Sequence, residues 1–264
     1  MFLALVAMHL LALSSEGQLS RFLGAHGDVA EACGFKGRTP SQPTVNRFKH
    51  RVGAEGFKTL FQELVLSLSK TGVAKGRWVS VDSTALKAYF RADPDARHGY
   101  TAVNKPFYGY KLHLIVDVES ELPIAFRVTR GNLHDSQAYL SILEDLEANG
   151  ISPRHIYGDG AYDAAAFREV TMSLYDAELH TPRNPRRHSG RASAPKTLKC
   201  RRSSVERTIS RLKTHLRLGE LKVGGLKAVT IHILLALTTM LIVALSAAAH
   251  QLPAKIRCLR SLTV

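Results

Sequence analysis

The spacing of apolar residues changes character along this chain. Through residues 1–75 it is helical. Ser14-Ser15 can cap a helix carrying Leu19, Phe22 and Leu23, because a serine oxygen accepts from an unpaired first-turn amide. Thr39-Pro-Ser-Gln-Pro then breaks the pattern. Thr44 can cap a second helix holding Val45, Phe48 and Val52, with Arg47, Lys49, His50 and Arg51 outside. That short basic helix reads either as half of a helix-turn-helix or as a solvated face. A third helix covers residues 56–69, with Phe57, Leu60, Phe61, Leu64, Val65 and Leu68 on its apolar side.

From Trp78 the period shortens to two. Residues 78–84 form a strand with Val79 and Val81 on one face and Asp82 on the other. Strands 108–118 and 122–129 flank the turn Glu119-Ser-Glu and should pair as a hairpin. Asp135 can cap a helix over 136–148 with Leu140, Leu143 and Leu146 inward. A short strand at His155-Ile-Tyr ends in Gly158-Asp159-Gly160; a helix over 164–174 and a strand near Glu178-Leu-His follow. Residues 182–195 read as a basic loop. Ser203 opens a helix whose Val205, Ile209, Leu212 and Leu216 pack, leaving Arg202, Glu206 and Lys213 together on the polar side. The order β-β-β-α-β-α-β-α predicts an α/β fold, a mixed sheet flanked by helices. The chain divides into a helical region at 1–75, a sheet-bearing domain at 76–250 and a basic tail at 251–264.

Two apolar stretches carry a second reading. Residues 1–13 resemble the core of a signal peptide but lack its positive flank and a clear cleavage site. Residues 228–249 are uncharged and long enough to cross a bilayer, yet they include Thr230, His232, Thr238, Thr239 and Ser246, and a buried helix reads the same way. Three well-separated cysteines with no C-x-x-C pair argue against a cysteine zinc site or a disulfide framework, and they suit a reducing cytoplasm.

Hydrophobic content of 45% is ordinary, but a net charge of +14 in 264 residues is not, and it implies an acidic partner, nucleic acid first. The charge concentrates between Arg183 and Arg217, where twelve Lys and Arg surround the single acid Glu206. A polyanion-binding surface should exclude acids, so a retained one suggests a bound cation. Each candidate acid has a plain alternative. Asp82 can be an exposed strand residue, Asp159 an Asp-Gly turn, and Glu206 the partner of Ser203 in a capping box. Asp135 and Asp163 read as helix caps, Asp117 as a strand end and His113 as a packed strand residue. Together, Asp82, Asp159 and Glu206 could converge at one sheet edge, where three carboxylates repel unless cations bind. Two Mg²⁺ ions about 3.5–4 Å apart, or Mn²⁺ in their place, would suit them. Arg202 and Lys213 on the Glu206 face would hold phosphates.

Val81-Asp82-Ser83-Thr84, Gly109-Tyr-Lys-Leu-His113, Gly131-Asn-Leu-His-Asp135, Gly158-Asp159-Gly160-Ala161-Tyr162-Asp163 and Arg202-x3-Glu206-x6-Lys213 occur in this order. With them the chain resembles the DDE transposases of bacterial and archaeal insertion sequences, over residues 77–249. The resemblance implies a ribonuclease H-like core and metal-dependent DNA cleavage and strand transfer by Asp82, Asp159 and Glu206. It also implies DNA contacts by Arg202 and Lys213 near the cleaved end, a buried helix beyond 228 rather than a membrane span, and a homodimer on paired DNA ends; Lys199, Arg201, Arg207 and Arg211 in the same basic stretch are further candidates for DNA contact. Where such families often carry tyrosine, three residues before the arginine, this chain has Lys199. The resemblance further implies more chain before the first helix. An inactive or truncated copy that only binds DNA, and a nuclease that cuts without joining, therefore stand as alternatives, alongside a membrane-associated basic protein.

Overall fold

The computed structural model describes residues 1–101, 105–183 and 195–259. Four helices come first: α1 (Phe2–Leu10), α2 (Glu16–Ala25), α3 (Gly27–Ala32) and α4 (Gln42–Lys70). Ser15 caps α2 as expected, its side chain accepting from the Gln18 amide. The second and third expected helices are one run, α4, broken at Gly53, whose φ of 67° and ψ of 179° lie outside helical space. A side chain is strained at that φ, so glycine makes the break cheap. The cap of α4 is Ser41; Thr44 lies one turn in, its hydroxyl 3.0 Å from that of Ser41.

The sheet has six strands: β1 (Trp78–Lys87), β2 (Arg97–Tyr100), β3 (Pro106–Asp117), β4 (Pro123–Arg130), β5 (His155–Tyr157) and β6 (Glu178–His180). β3 is central. One edge pairs antiparallel with β1 from Val79↔Asp117 to Lys87↔Gly109. Its other edge takes β2 and β4, both antiparallel. β5 joins β1 in parallel and β6 joins β5 in parallel. The predicted β3–β4 hairpin is present. Asp117, expected as a plain strand end, is buried and organises that turn, accepting from the amides of Gly76 and Ser120 and from the Ser120 hydroxyl.

β2 was not visible in the hydrophobic pattern. Its four residues Arg-His-Gly-Tyr are mostly polar, and it exists because the edge of β3 supplies hydrogen bonds. Gly99 is required there: a Cβ would stand 2.0 Å from the Gly131 carbonyl oxygen.

Among the described residues four more α-helices follow: α5 (Asp135–Ala148), α6 (Ala165–Tyr175), α7 (Lys196–His215) and α8 (Leu226–Ala249). In α5, Leu143 and Leu146 are buried as expected, but Leu140 is exposed, and Tyr139 and Ile142 fill the interior instead. α8 is long and apolar enough to cross a membrane, but 72% of its most apolar window is buried inside the protein. It packs against α1, α4 and β4. The apolar first residues are thus core, with Ala4 and Leu5 fully buried. Phe61 of α4 meets Phe126 of β4 edge-on at 5.2 Å, a geometry worth about 0.5–1.5 kcal/mol beyond area burial. The helical region and the sheet therefore share one core, although the sequence changes texture between them.

Candidate active site

Parallel pairing of β1 with β5 builds the site. The register runs Trp78↔His155, Val79↔Ile156, Ser80↔Tyr157. Continued two residues past the end of β5, it sets Asp82 level with Asp159, and strand alternation puts both on one face. Asp82 accepts from the Ser83 amide at 2.7 Å. Asp159 caps a single 3₁₀ turn, Gly160–Tyr162, accepting from the Ala161 amide at 2.8 Å.

Both carboxyls are costly to ionise. Burial is the main reason that Asp82 is pushed up to about 7; Asp159 and Glu206 push it the same way, while the Ser83 amide and Arg202 oppose them. Asp159 is also raised, again first by burial, then by Asp135, against the Ala161 amide, Arg202 and His134. Asp82 and Asp159 thus lie within electrostatic reach of each other, and Asp82 within reach of Glu206 as well.

Glu206 comes from α7, which crosses the same face of β1. The Ser80 and Ser204 hydroxyls meet at 2.6 Å, both residues fully buried, and pin the helix there. The helix starts at Lys196, not at Ser203. The capping-box alternative for Glu206 is therefore overturned: Ser203 sits inside the helix and donates to the Cys200 carbonyl. Glu206 instead pairs with Arg202 at 2.7 Å and stays 45% exposed. Two turns on, Lys213 Nζ donates to Thr84 Oγ1 at 2.6 Å, which holds the amine beside the Asp82 face of β1. Burial lowers the Lys213 pKa.

Two expectations about neighbouring residues are corrected and a third holds. His134, not Asp135, caps α5, in a capping box with Gln137. Asp135 is thereby freed to face the site, where it pairs with Lys111 at 3.1 Å and raises the Asp159 pKa. Asp163 does not cap α6; it is buried and grips Arg168 and Thr181. His113 is packed, as expected: its Nε2 lies 2.9 Å from Thr129 Oγ1, and burial lowers its pKa to about 4. Asp135 is the residue that sequence reasoning misassigned. The segment Gly131-Asn-Leu-His-Asp135 was visible, but its proximity to Asp159 depends on tertiary packing.

The basic residues of α7 separate into groups. Lys199 is exposed and falls on the Arg202–Glu206 side by helical spacing. Arg201 is not open to a ligand: its guanidinium lies 4.0 Å over Trp78 and bonds the Tyr157 hydroxyl. Arg207 and Arg211 were expected to face DNA and instead close on Glu121, each at 2.7 Å. Arg186, Arg187 and Arg191 lie outside the described residues, as does most of the expected 182–195 loop.

The family model described as "Transposase DDE domain" matches residues 74–242. Among solved structures, the chain is similar to a piggyBac transposase synaptic complex with hairpin DNA, at 13% identity and a TM-score of 0.45, covering 71% of this chain and 52% of that one. It is similar to the catalytic domain of Mos1 mariner transposase at 16% identity and a TM-score of 0.37, covering 80% of this chain and 93% of that one. The Mos1 mariner paired end complex with Mn is similar at 14% identity and a TM-score of 0.35, covering 95% of this chain and 75% of that one. The chain thus spans about half the length of the piggyBac transposase. No curated protein matches it.

Proposed function

The chain belongs to the transposase DDE domain family, and from that premise we propose that it cleaves and joins DNA strands with Asp82, Asp159 and Glu206 as ligands of two divalent ions. The observation that carries the proposal is the β1–β5 register that sets two half-buried carboxyls side by side, with a third acid facing them from α7. The donor set fits such ions. All three ligands are hard oxygens, which suit Mg²⁺ or Mn²⁺. Burial raises the pKa of Asp82 and Asp159 despite Arg202 and the amide that each accepts from, so a divalent cation between them would offset the cost of their charge.

When bound, such ions would supply activation of a water or a 3′-hydroxyl and stabilisation of the leaving oxygen, the chemistry that in-line displacement in cleavage and joining would need. The protein's own groups position the strand. Lys213, oriented by Thr84, and Lys199 lie where phosphates would flank the carboxylates. Glu206 is exposed and tied to one arginine, so it can exchange that partner for a cation, leaving Arg202 for a phosphate. Asp135, paired with Lys111, lies within electrostatic reach of Asp159. DNA as the partner follows from the net charge of +14 and from the family. Assembly as a homodimer on paired ends, in the cytoplasm, completes the reading.

The test is a cleavage-and-joining assay on DNA ends flanking the element, with Mg²⁺, comparing wild type with Glu206→Gln. Metal-dependent nicks and joined products that vanish in the variant are expected. Nicks without joining would make it a nuclease. Binding without cutting, equal in both proteins, would reject the catalytic reading.

A further inference from the structure

The outer edge of the sheet carries a second cluster of ligand side chains, on β5 and β6. The register His155↔Glu178 and Tyr157↔His180 places His155, Glu178 and His180 on the same face. His155 Nδ1 lies 3.1 Å from His180 Nε2 and 3.5 Å from Glu178 Oε2. His180 Nε2 lies 3.3 Å from the same oxygen. The three atoms form a nearly equilateral triangle. A tetrahedral ion with bonds of about 2.0–2.2 Å holds its donors about 3.3–3.6 Å apart; the two carboxylate–imidazole separations fall in that range and the imidazole–imidazole separation of 3.1 Å is slightly shorter. A hydrogen bond between the two imidazoles would need only two of these groups. The third, nearly equidistant from both nitrogens, is what a metal site adds.

We propose that His155, Glu178 and His180 form a binding site for a transition-metal ion of the zinc class, separate from the carboxylate centre. Two imidazoles and one carboxylate select a borderline ion such as Zn²⁺ or Co²⁺ over Mg²⁺, which keeps to oxygen donors. The ligands approach from the sheet, and Glu178 is 56% exposed, so the fourth position faces solvent. Behind the ligands, the His180 ring stacks on Tyr157 at 4.9 Å, and Arg201 lies over both Trp78 and Tyr157. The site is thus backed by a layered platform that also seats the first half of α7. Asp82 lies four residues along β1 from Trp78, the partner of His155, or about 13 Å away at strand rise. One ion cannot serve both centres. The site would tie Glu178 and His180 of the three-residue edge strand β6 to His155 of β5, adding to the backbone pairing of the two strands.

The experiment is a Co²⁺ titration of the tag-free chain in excess Mg²⁺, read by the visible absorption of four-coordinate Co²⁺ and followed by displacement with Zn²⁺. One equivalent is expected in wild type and in the Asp82→Asn/Glu206→Gln double variant. His180→Gln should weaken binding by about 100-fold or more, since even outer-shell partners of a metal are worth about 10–100-fold. Glu178→Gln keeps an exposed side chain of the same size, so it tests the site without threatening the fold. It should lose affinity while its circular dichroism stays unchanged, and Zn²⁺ should no longer raise its Tm. Absence of stoichiometric Co²⁺ binding in wild type would overturn the proposal. So would binding that follows Asp82 and Glu206 and ignores Glu178 and His180. Absence of Co²⁺ binding would leave the catalytic reading standing, because the two sets of variants share no residue, whereas binding that follows Asp82 and Glu206 would assign the ion to the carboxylate centre.

Discussion

The two sides of α7 carry similar residues to opposite ends. On one side Glu206 meets a single arginine, Arg202, and remains 45% exposed. On the other Glu121, reaching in from the β3–β4 turn, is 8% exposed and bound by Arg207, Arg211 and Arg257. Thr208 adds a hydrogen bond to the Glu121 carbonyl. Glu121 is saturated and desolvated, so it can only hold the helix to the turn. Glu206 is under-bonded and reachable, so it can change partners. Counting Arg and Glu cannot tell these sides apart; coordination number and burial can.

The sharpest break between them is in activity. Asp82→Asn should abolish strand cleavage, by roughly 10³-fold or more, since a bound ion is worth several kcal/mol in the transition state. The same substitution should raise stability in EDTA at pH 8. With its pKa pushed up to about 7, folded Asp82 keeps a proton that the unfolded chain releases near 3.8, so its contribution to stability falls as pH rises between those values. Removing the charge recovers on the order of 1–4 kcal/mol, read as an increase in Tm. A variant both inactive and less stable would make Asp82 a structural residue. On the opposite side, Glu121→Ala should cost about 3 kcal/mol, because Arg211, 18% exposed, would keep a charge without its partner. Arg202→Ala, breaking a half-exposed pair, should cost less than about 1 kcal/mol. Urea melts of the two variants side by side check this, and equal losses would erase the distinction.

That contrast also marks where sequence stops being informative. Strand order, the hairpin, and the placement of Asp82 and Asp159 at neighbouring strands follow from period-two alternation and turn residues, which are local. Glu206 and Lys213 follow from helical spacing. The fate of Arg207 depends on Glu121, 86 residues away, which no local pattern encodes. The true start of α7 was hidden because Lys196-Thr-Leu-Lys-Cys-Arg-Arg has no apolar stripe to announce a helix. Asp135 was taken as a cap because a cap is the local explanation, whereas His134 fills that role. β2 and the His155–Glu178–His180 triangle arise from pairing between separate strands, and only the register brings their residues together.

A smaller effect comes from three buried histidines. Burial lowers His9 to about 3, His232 to about 4 and His113 to about 4. Their folded pKa values lie below the ordinary 6.5, so the unfolded chain takes up protons first as pH falls, and stability is lost from pH 6.5 downward. Each imidazole costs about 1.4 kcal/mol per pH unit well below 6.5. Asp82 and Asp159 work the other way, but they are two groups against three. Tm should therefore fall between pH 7 and pH 5, and His9→Leu/His232→Leu should flatten the fall. An unchanged slope would mean that these rings are not buried neutral.

The finest test concerns DNA affinity alone. Each phosphate neutralised releases counterions and adds about 0.9 to the slope of log K against log salt. Lys213 is aimed beside the carboxylates and, among the described residues, engages the neutral Thr84 hydroxyl, so it can take a phosphate without giving up that contact's charge balance. Lys213→Ala should lower the slope by about one unit, as one lost contact requires. Arg207 is already neutralised by Glu121, and a phosphate would have to outbid an interaction anchored by two other arginines. Arg207→Ala should therefore leave the slope unchanged. Fluorescence anisotropy across a salt series measures both. If Arg207→Ala lowers the slope as much as Lys213→Ala, the clamp opens on DNA and the two sides of α7 form one surface; if only Lys213→Ala does, the helix divides its charge between holding the fold and holding the substrate.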